Sequence, residues 1–276
     1  METLLTISLP FFALVAAGYA AGHFRVLDGA ATAGLNAFVF WFALPVMLFM
    51  KMSAASLAQD FEWRFIAAYS GGGLLAFILC VVAGRLLFRP SLGESAIMGM
   101  GAGFGNVGYM GLPIVLAVFG DKVVLPAVLV IVFDHIILLP ITTAMIELGA
   151  GRQASLGVIV RRVVTALARN PLIISTFAGL LWGISGLHLA LPVAAFGNLL
   201  ANAAAPCALF AIGATLVGRP LHSGFPELAL ISVIKLLVHP ALAFGIATLL
   251  ALDPLLTKVA VLEASLPLAA NVFIMA

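Results

Sequence analysis

The most constraining feature of this sequence is a series of nine apolar stretches, each long enough for a helix that crosses a lipid bilayer. Such a helix needs about 20 consecutive apolar residues. Only 9% of the residues are charged, against about 25% in a typical soluble domain, so the chain cannot cover itself with a polar surface. We therefore predict an all-α membrane protein. The predicted spans cover residues 4–22, 33–50, 63–84, 95–119, 123–146, 166–187, 191–217, 228–250 and 254–276.

The same composition argues against several other classes of protein. The formal net charge is only +2, and the basic residues are scattered, so the chain has no basic face for nucleic acid. An intramembrane enzyme is disfavoured because Asp134–His135 is the one acid–base pair within a span and no HExxH or GxSxG motif accompanies it. Cys80 and Cys207 are interpreted as small buried residues, not as a disulfide or metal site. No cofactor is expected.

The distribution of Lys and Arg predicts the orientation. The odd-numbered loops and their flanks hold eight of these residues, and the even-numbered ones hold four. Because cytoplasmic loops carry the excess of positive charge, we predict that the N-terminus lies outside and that the longest loop, residues 148–165, is cytoplasmic. The first apolar stretch follows no basic segment, so it is interpreted as a membrane span and not as a cleaved signal peptide.

The two halves of the sequence resemble each other at a fixed offset. Three landmarks align when the chain is shifted by 161 residues: Pro10 with Pro171, Pro45 with Pro206, and Asn106 with Pro267. Five spans in each half would insert the second half in the opposite direction, which is the inverted repeat of many secondary transporters. The predicted repeats are residues 1–147 and 166–276. The partner of the fifth span would be a tenth helix, so we expect that the sequence is truncated or that another chain supplies this helix.

Two predicted spans contain helix breakers at aligned positions. The fourth contains GFGNVGYMGLP, residues 103–113, and the ninth contains SLPLAANVF, residues 265–273. Irregular backbone survives at membrane depth only where protein or a water-filled cavity satisfies its polar groups. Close packing of helices on glycine explains part of this pattern, but the paired breaks favour a binding site at the ends of half-helices. The predicted substrate-binding residues are Asn106, Gly108, Pro113, Asn202, Pro267 and Asn271.

Ionisable residues inside the spans form the second group of candidates, because charged side chains at membrane depth are costly and frequently functional. Lys235 and His239 are four residues apart and share one face of a helix. One interpretation is a structural cluster that holds helices together; the other is a coupling site that takes up a proton or helps to bind sodium. His135 is a weaker candidate for proton relay. The predicted coupling residues are Asp134, Lys235, Glu263 and His239.

Three segments resemble the auxin efflux carrier family in its bacterial, PIN-like branch: GNVGYMGLPI (105–114), NAAAPCALFAIGATL (202–216) and ASLPLAANVFIMA (264–276). The resemblance implies a scaffold of residues 1–50 and 166–217 and a mobile transport bundle of residues 63–146 and 228–276. The fourth and ninth helices would cross at their breaks. By this resemblance, Asn106 and Pro267 mark the two crossover points, and Asn202 is the polar residue on the scaffold side.

Lys235 resembles a lysine of the eighth span that, in plant relatives, pairs with an acidic residue in the third span. The third span here, residues 63–84, contains no carboxylate. The pairing acid would have to be Asp134 or Glu263, or the pair is absent. The family transports carboxylates, auxins in plants and malonate- or malate-like acids in bacteria. The lack of a long insert between the halves resembles prokaryotic members, which predicts a bacterial inner-membrane protein.

Together these observations predict a secondary transporter for a small organic anion that works by alternating access, for instance by an elevator movement. The coupling ion would be H+ or Na+. A sodium-coupled symporter of the bile-acid transporter type and a non-transporting membrane sensor stay open as alternatives, whereas a channel is disfavoured because neither break resembles a selectivity filter. A homodimer through the scaffold helices is a further expectation.

Overall fold

The computed structural model describes residues 2–54, 62–151, 156–218 and 225–268. These ranges fold into helices, with one isolated β-bridge and no extended strand among them. Asn271 lies outside the described residues. The helices are α1 (Glu2–His23), α2 (Gly29–Ser53), α3 (Trp63–Leu87), α4 (Leu92–Gly103), α5 (Leu112–Phe119), α6 (Val124–Gly149), α7 (Leu156–Arg169), α8 (Pro171–Ile184), α9 (Leu191–Thr215), α10 (Phe225–Leu249) and α11 (Pro254–Ala264).

Five of the described helices, α2, α3, α6, α9 and α10, are long and apolar enough to cross a membrane. This agrees with the all-α membrane protein that the composition predicts. One segment differs from the prediction. Residues 156–169 form the separate helix α7, where the sequence predicts a loop up to residue 165 and a sixth span from residue 166. The reason is that apolar residues and arginines recur along α7 with the period of an α-helix. A search for uniformly apolar stretches does not detect this pattern.

Several helices begin at residues whose side chains cap the first turn. Ser91 and Glu94 form a reciprocal capping box at the start of α4, in which the Ser91 Oγ accepts from the Glu94 N–H and Glu94 accepts from the Ser91 N–H. These hydrogen bonds hold the pKa of the Glu94 carboxyl below its usual value. Asp253 caps α11 by accepting from the Leu255 N–H at 2.8 Å, and Pro254 follows at the first helical position, where no N–H is needed.

The chain divides into two compact units. The first comprises residues 1–57, 112–124 and 170–221, and so holds α1, α2, α5, α8 and α9. The second comprises residues 58–111, 125–169 and 222–276, and holds α3, α4, α6, α7, α10 and α11. Each unit is therefore assembled from segments that are distant in sequence.

In the first unit, glycines bring helices into backbone contact. Helix α1 packs on α9, and α2 packs on α8. A Cβ added at Gly18 would overlap with the carbonyl oxygen of Phe210, and one added at Gly179 would lie 2.6 Å from the carbonyl oxygen of Phe49. Gly18 and Gly179 are 161 residues apart, and so are Phe49 and Phe210. The two helix crossings therefore use aligned positions, with the roles of glycine and phenylalanine exchanged between the halves.

The crossing at Gly18 gives a first testable prediction. In Gly18→Ala the methyl group has no room beside the Phe210 backbone, so α1 and α9 must separate and lose packing, at a cost of about 1–3 kcal/mol. We expect a lower unfolding temperature for the purified protein in detergent. Gly34→Ala in α2 is the matched control, because nothing lies within 4 Å of an added Cβ there. Equal unfolding temperatures for Gly18→Ala and Gly34→Ala would contradict the close crossing.

In the second unit, α3 lies at the centre and packs against α4, α10 and α11. One core cluster joins Phe77, Met100, Phe104 and Leu138 from α3, α4, the segment after α4, and α6. A second joins α3 and α4 to α10 through Cys80 and Ile234. Cys80 and Cys207 are both free thiols, and the Cys80 Sγ donates to the Met98 carbonyl oxygen. This packing fixes the end of α4, where the candidate site begins.

Candidate functional site

The fourth predicted span is interrupted where the glycine-rich motif predicts a break. Helix α4 ends at Gly103, Phe104 has an extended conformation, and a π-helical turn over Val107–Gly111 leads into α5. The carbonyl oxygen of Asn106 accepts from the N–H groups of both Met110 and Gly111 at 3.0 Å. Only Phe104, Gly105 and Asn106 lie outside helical geometry. The Asn106 carbonyl oxygen accepts the hydrogen bonds that close the helical turn after them.

The second break follows α11. This helix ends at Ala264, and the Ser265 N–H closes its last turn on the Val261 carbonyl oxygen at 3.0 Å. The chain then continues without helical structure through Pro267 to Leu268. Pro267 cannot donate a backbone hydrogen bond and disfavours helix in the residue before it, which explains why α11 ends here.

The two breaks cross and pair through their backbones. Gly105 and Leu268 form an antiparallel β-bridge, and the Asn106 N–H donates to the Pro267 carbonyl oxygen at 2.9 Å. In an antiparallel pair every second pair of opposed residues exchanges two hydrogen bonds, and in this register Asn106 and Pro267 form such a pair. Pro267 has no N–H, so a single hydrogen bond joins it to Asn106. The Asn106 carbonyl oxygen receives no hydrogen bond from Pro267 and instead accepts the two that close the π-helical turn.

The predicted binding residues occupy different parts of the structure. The Asn106 side chain is buried, and its carboxamide makes no hydrogen bond among the described residues. Gly108 lies in the π-helical turn and Pro113 near the start of α5. The structure therefore brings Asn106 and Pro267 into direct contact, with Gly108 two residues from Asn106. Asn202 is exposed on α9 in the first unit.

Lys235 is a fully buried cation beside this crossing. It lies on the π-helical turn Ile234–Val238 of α10, and its side chain is 1% exposed. The Nζ atom is 2.9 Å from His239 Nδ1 and donates to the Ala264 carbonyl oxygen at 3.2 Å. That carbonyl is the last of α11, where the negative end of the helix dipole favours a cation. A Cβ added at Gly105 would lie 3.2 Å from Nζ, so the ammonium group also borders the first break.

His239 connects this lysine to α3. Because its Nδ1 faces the Lys235 ammonium, the arrangement fits a neutral imidazole whose Nε2–H donates to the Tyr69 carbonyl oxygen at 3.4 Å. The rings of His239 and Tyr69 are tilted, with centroids 5.4 Å apart. The predicted pair Lys235 and His239 is thus hydrogen-bonded within one helix and anchored to a second.

Asp134 lies on α6 and is bound by a residue that sequence reasoning missed. The Tyr69 hydroxyl donates to Asp134 Oδ2 at 3.1 Å, and both side chains are buried. The backbone amide of Gly105 interacts with the same carboxylate. Tyr69 lies in the segment AAYSGGG of the third predicted span, which contains no carboxylate. The feature that could have identified Tyr69 from the sequence is its hydroxyl group within an apolar span.

Glu263 is a second buried carboxyl group of this cluster, and it differs from Asp134 in having no hydrogen-bond donor among the described residues. Both of its side-chain oxygens lack a partner in the part of the chain that the structure describes, and the residue is 0% exposed. A Cβ added at Gly111 would overlap with Glu263 Oε2, so the carboxyl group lies against the backbone of the π-helical turn. Electrostatic interactions couple it to Asp134 and Lys235. Within the described ranges, however, neither carboxylate forms a direct ion pair with Lys235.

His135 is not joined to this cluster by a hydrogen bond. Its Nδ1 is 2.7 Å from the Ile131 carbonyl oxygen on its own helix, and its ring packs edge-on against Phe104 at 5.3 Å. This arrangement fits a packed histidine of the core. Across residues 2–54, 62–151, 156–218 and 225–268, no group of three His, Cys, Asp or Glu side chains could hold a metal ion.

Comparison with known proteins places this sequence among membrane transport proteins. Residues 3–276 match a family described as "Membrane transport protein". The chain is 34% identical over 275 residues to the "Putative malonate transporter" of Rhizobium meliloti, covering 99% of this chain and 86% of that protein. It is 26% identical over 278 residues to an "Uncharacterized transporter" of Methanothermobacter thermautotrophicus, covering 96% and 84%. It is also 28% identical over 258 residues to the "Lysosomal cholesterol signaling protein" of Mus musculus, covering 88% of this chain and 29% of that protein.

Proposed function

The chain belongs to the membrane transport protein family, and from that membership we propose that it carries a small organic anion across the membrane by alternating access, with its binding site at the crossing of the two breaks. The resemblance to the auxin efflux carrier family is confirmed, and the chain is a membrane transporter and not an enzyme. The substrate class, the mechanism and the insertion into a bacterial inner membrane with the N-terminus outside are our proposals.

The observation that carries this proposal is the carboxamide of Asn106, which lies beside the crossing. It is a hydrogen-bond donor and acceptor held at a fixed position by the Asn106–Pro267 backbone bond, and it makes no hydrogen bond among the residues that the structure describes. Helix starts favour anions, and the π-helical turn starts immediately after Asn106. The Lys235 ammonium next to Gly105 adds positive potential. A carboxylate is the group that these features attract.

A dicarboxylate of the size of malonate is the first substrate to test. The relative with 34% identity is named for malonate, and a carboxamide with a nearby ammonium suits a carboxylate better than a neutral solute. An inverted repeat supports alternating access, because two similar halves inserted in opposite directions allow inward- and outward-facing states of comparable energy. The exchanged contacts at Gly18–Phe210 and Phe49–Gly179 support such a repeat.

The proposed function is tested by flux in proteoliposomes. Purified protein is reconstituted, and uptake of radiolabelled malonate is measured against empty liposomes, with malate, acetate and an auxin as competitors. Imposed gradients of H+ and of Na+ separate a proton-coupled carrier from a symporter of the bile-acid type. Saturable uptake that competing carboxylates inhibit is the expected result. Binding of carboxylates without any flux would instead favour a sensor and overturn the proposal.

We further propose that protons are the coupling ions and that Glu263 holds one in this conformation. Asp134 as an anion has the Tyr69 hydroxyl as donor, and the Lys235 cation balances its charge. An ionised Glu263 would add a second negative charge with no donor, and burying such a charge costs far more than burying a neutral carboxyl group. The protonated form leaves the cluster electrically neutral. Movement of the bundle that gives Glu263 access to water would release this proton.

Replacing Glu263 by glutamine tests the coupling. The amide imitates a carboxyl group that is permanently protonated, so we expect Glu263→Gln to keep its fold and to exchange malonate at equilibrium, while net uptake no longer responds to an imposed pH gradient. Uptake as a function of external pH gives the measurement. Glu227→Gln, in the first turn of α10, is the control and should retain the wild-type profile. An unaltered pH response in Glu263→Gln would exclude Glu263 as the coupling group.

A further inference from the structure

Helix α7 connects two apolar helices but, unlike them, contains arginine residues. It follows α6, which is long and apolar enough to cross a membrane, and precedes the shorter apolar helix α8. Only Asn170 separates α7 from α8, and this residue caps α8 by accepting from the Leu172 N–H at 3.0 Å. With an apolar helix on each side along the chain, α7 must lie near a membrane surface.

The side chains of α7 divide into two faces. Successive residues are rotated by about 100° in an α-helix, so positions four apart lie on one side. Arg161, Thr165 and Arg169 follow this spacing, and so do Val160 and Val164 on the adjacent side of the helix, with Leu167 near them. Val160 and Val164 are 52% and 57% exposed, so the described part of the chain leaves these two valines uncovered. Arg161 and Arg169 are exposed as well.

Neither water nor the hydrocarbon core suits this helix. In water two valines of the apolar face would stay exposed, whereas an arginine at the centre of the bilayer costs about 2.5–3.5 kcal/mol by insertion scales. The interfacial region satisfies both faces, because the apolar side chains reach the acyl chains while the arginines remain among the headgroups. Residues 156–169 contain no Asp or Glu, so α7 has no internal partner for its arginines.

We propose that α7 is an interfacial helix that lies in the plane of the membrane and binds anionic lipid headgroups through Arg161 and Arg169. Guanidinium groups form paired hydrogen bonds with phosphate oxygens, and a negatively charged leaflet attracts basic residues near its surface. The occupant of the exposed face is the bilayer itself. This assignment concerns the attachment of the chain to lipid and does not depend on which solute is transported.

The proposal is tested on the full-length chain with a fluorescent probe. Cys80 and Cys207 are replaced by alanine, and an environment-sensitive dye is attached to a new cysteine in Val164→Cys or, separately, in Thr165→Cys. Nanodiscs are made from phosphatidylcholine alone or with phosphatidylglycerol. We expect the dye at position 164 to be shielded from iodide and quenched by lipids brominated near the headgroup, and the dye at position 165 to be quenched by iodide. Equal access of iodide to both positions would overturn the membrane-bound arrangement.

The lipid preference is tested by removing the charges. Addition of phosphatidylglycerol is expected to increase the shielding at position 164, and the double variant Arg161→Gln/Arg169→Gln is expected to lose this increase. Arg85→Gln/Arg89→Gln removes two charges elsewhere and should retain it. Circular dichroism and size-exclusion chromatography establish that each variant is folded. An increase that persists in Arg161→Gln/Arg169→Gln would overturn the assignment of these arginines to anionic lipid.

Discussion

Asn106→Ala is expected to reduce malonate uptake in proteoliposomes to nearly the background of empty liposomes while the protein remains folded. The substitution removes the carboxamide but retains the backbone N–H that pairs with the Pro267 carbonyl oxygen. A hydrogen bond to a charged group contributes about 1.5–3 kcal/mol, which corresponds to a loss of roughly 10- to 100-fold in apparent affinity. The flux measured below saturation should fall by the same factor.

A second asparagine supplies the control for this prediction. Asn170→Ala removes a carboxamide that caps α8, so it should lower the stability by about 1 kcal/mol and leave the affinity for malonate unchanged. Thermal unfolding with and without malonate separates the two effects, because a bound ligand raises the unfolding temperature only if it binds the folded protein. Wild-type uptake by Asn106→Ala would show that the anion does not contact this carboxamide, and the proposed site would be wrong.

Lys235→Met is expected to have the second large effect, on coupling and on stability together. The substitution leaves Asp134 buried without a cation and frees the last carbonyl of α11 from its donor. A buried polar group left without its partner costs about 1–3 kcal/mol, and a buried charge left unbalanced costs more. We expect a lower unfolding temperature and a loss of uptake driven by a pH gradient. The concentration of malonate that half-saturates equilibrium exchange should change less than the driven uptake.

The exposed lysine of α11 provides the matched control. Lys258→Met removes the same charge from the surface and should change neither stability nor coupling. Lys235→Arg keeps the charge in a larger side chain, so partial recovery of the gradient-driven uptake is expected. If Lys235→Met lowers stability while driven uptake per folded molecule stays at the wild-type level, the cluster is structural, which is the alternative that the sequence leaves open.

The residues of the candidate site could be found from the sequence because each one is energetically unfavourable at its position in an apolar helix. Asp134, Lys235, His239 and Glu263 interrupt apolar spans, and Asn106 and Pro267 interrupt helices. Such interruptions are visible without a structure. The structure places Lys235 with His239 and Ala264 rather than in an ion pair, and this detail depends on the π-helical turn that contains Lys235. No periodic pattern in the sequence predicts that turn.

Two features could not be found by the same reasoning. Tyr69 is mostly apolar and fits a membrane span, so its role becomes visible only when α3 and α6 bring its hydroxyl to Asp134. The sequence predicts a loop over most of helix α7, up to residue 165, because its arginines lower the mean hydropathy, although their spacing is helical. The boundaries of the first unit also depend on contacts between residues far apart in sequence, such as Gly18 and Phe210. Local sequence patterns do not contain that information.

The missing N–H of Pro267 determines how the Asn106 carbonyl oxygen is used. Any other residue at position 267 would bring an N–H group towards the Asn106 carbonyl oxygen, which already accepts from Met110 and Gly111. Proline therefore leaves both lone pairs of this oxygen to the two N–H groups that close the π-helical turn, so the crossing forms without weakening the turn beside it.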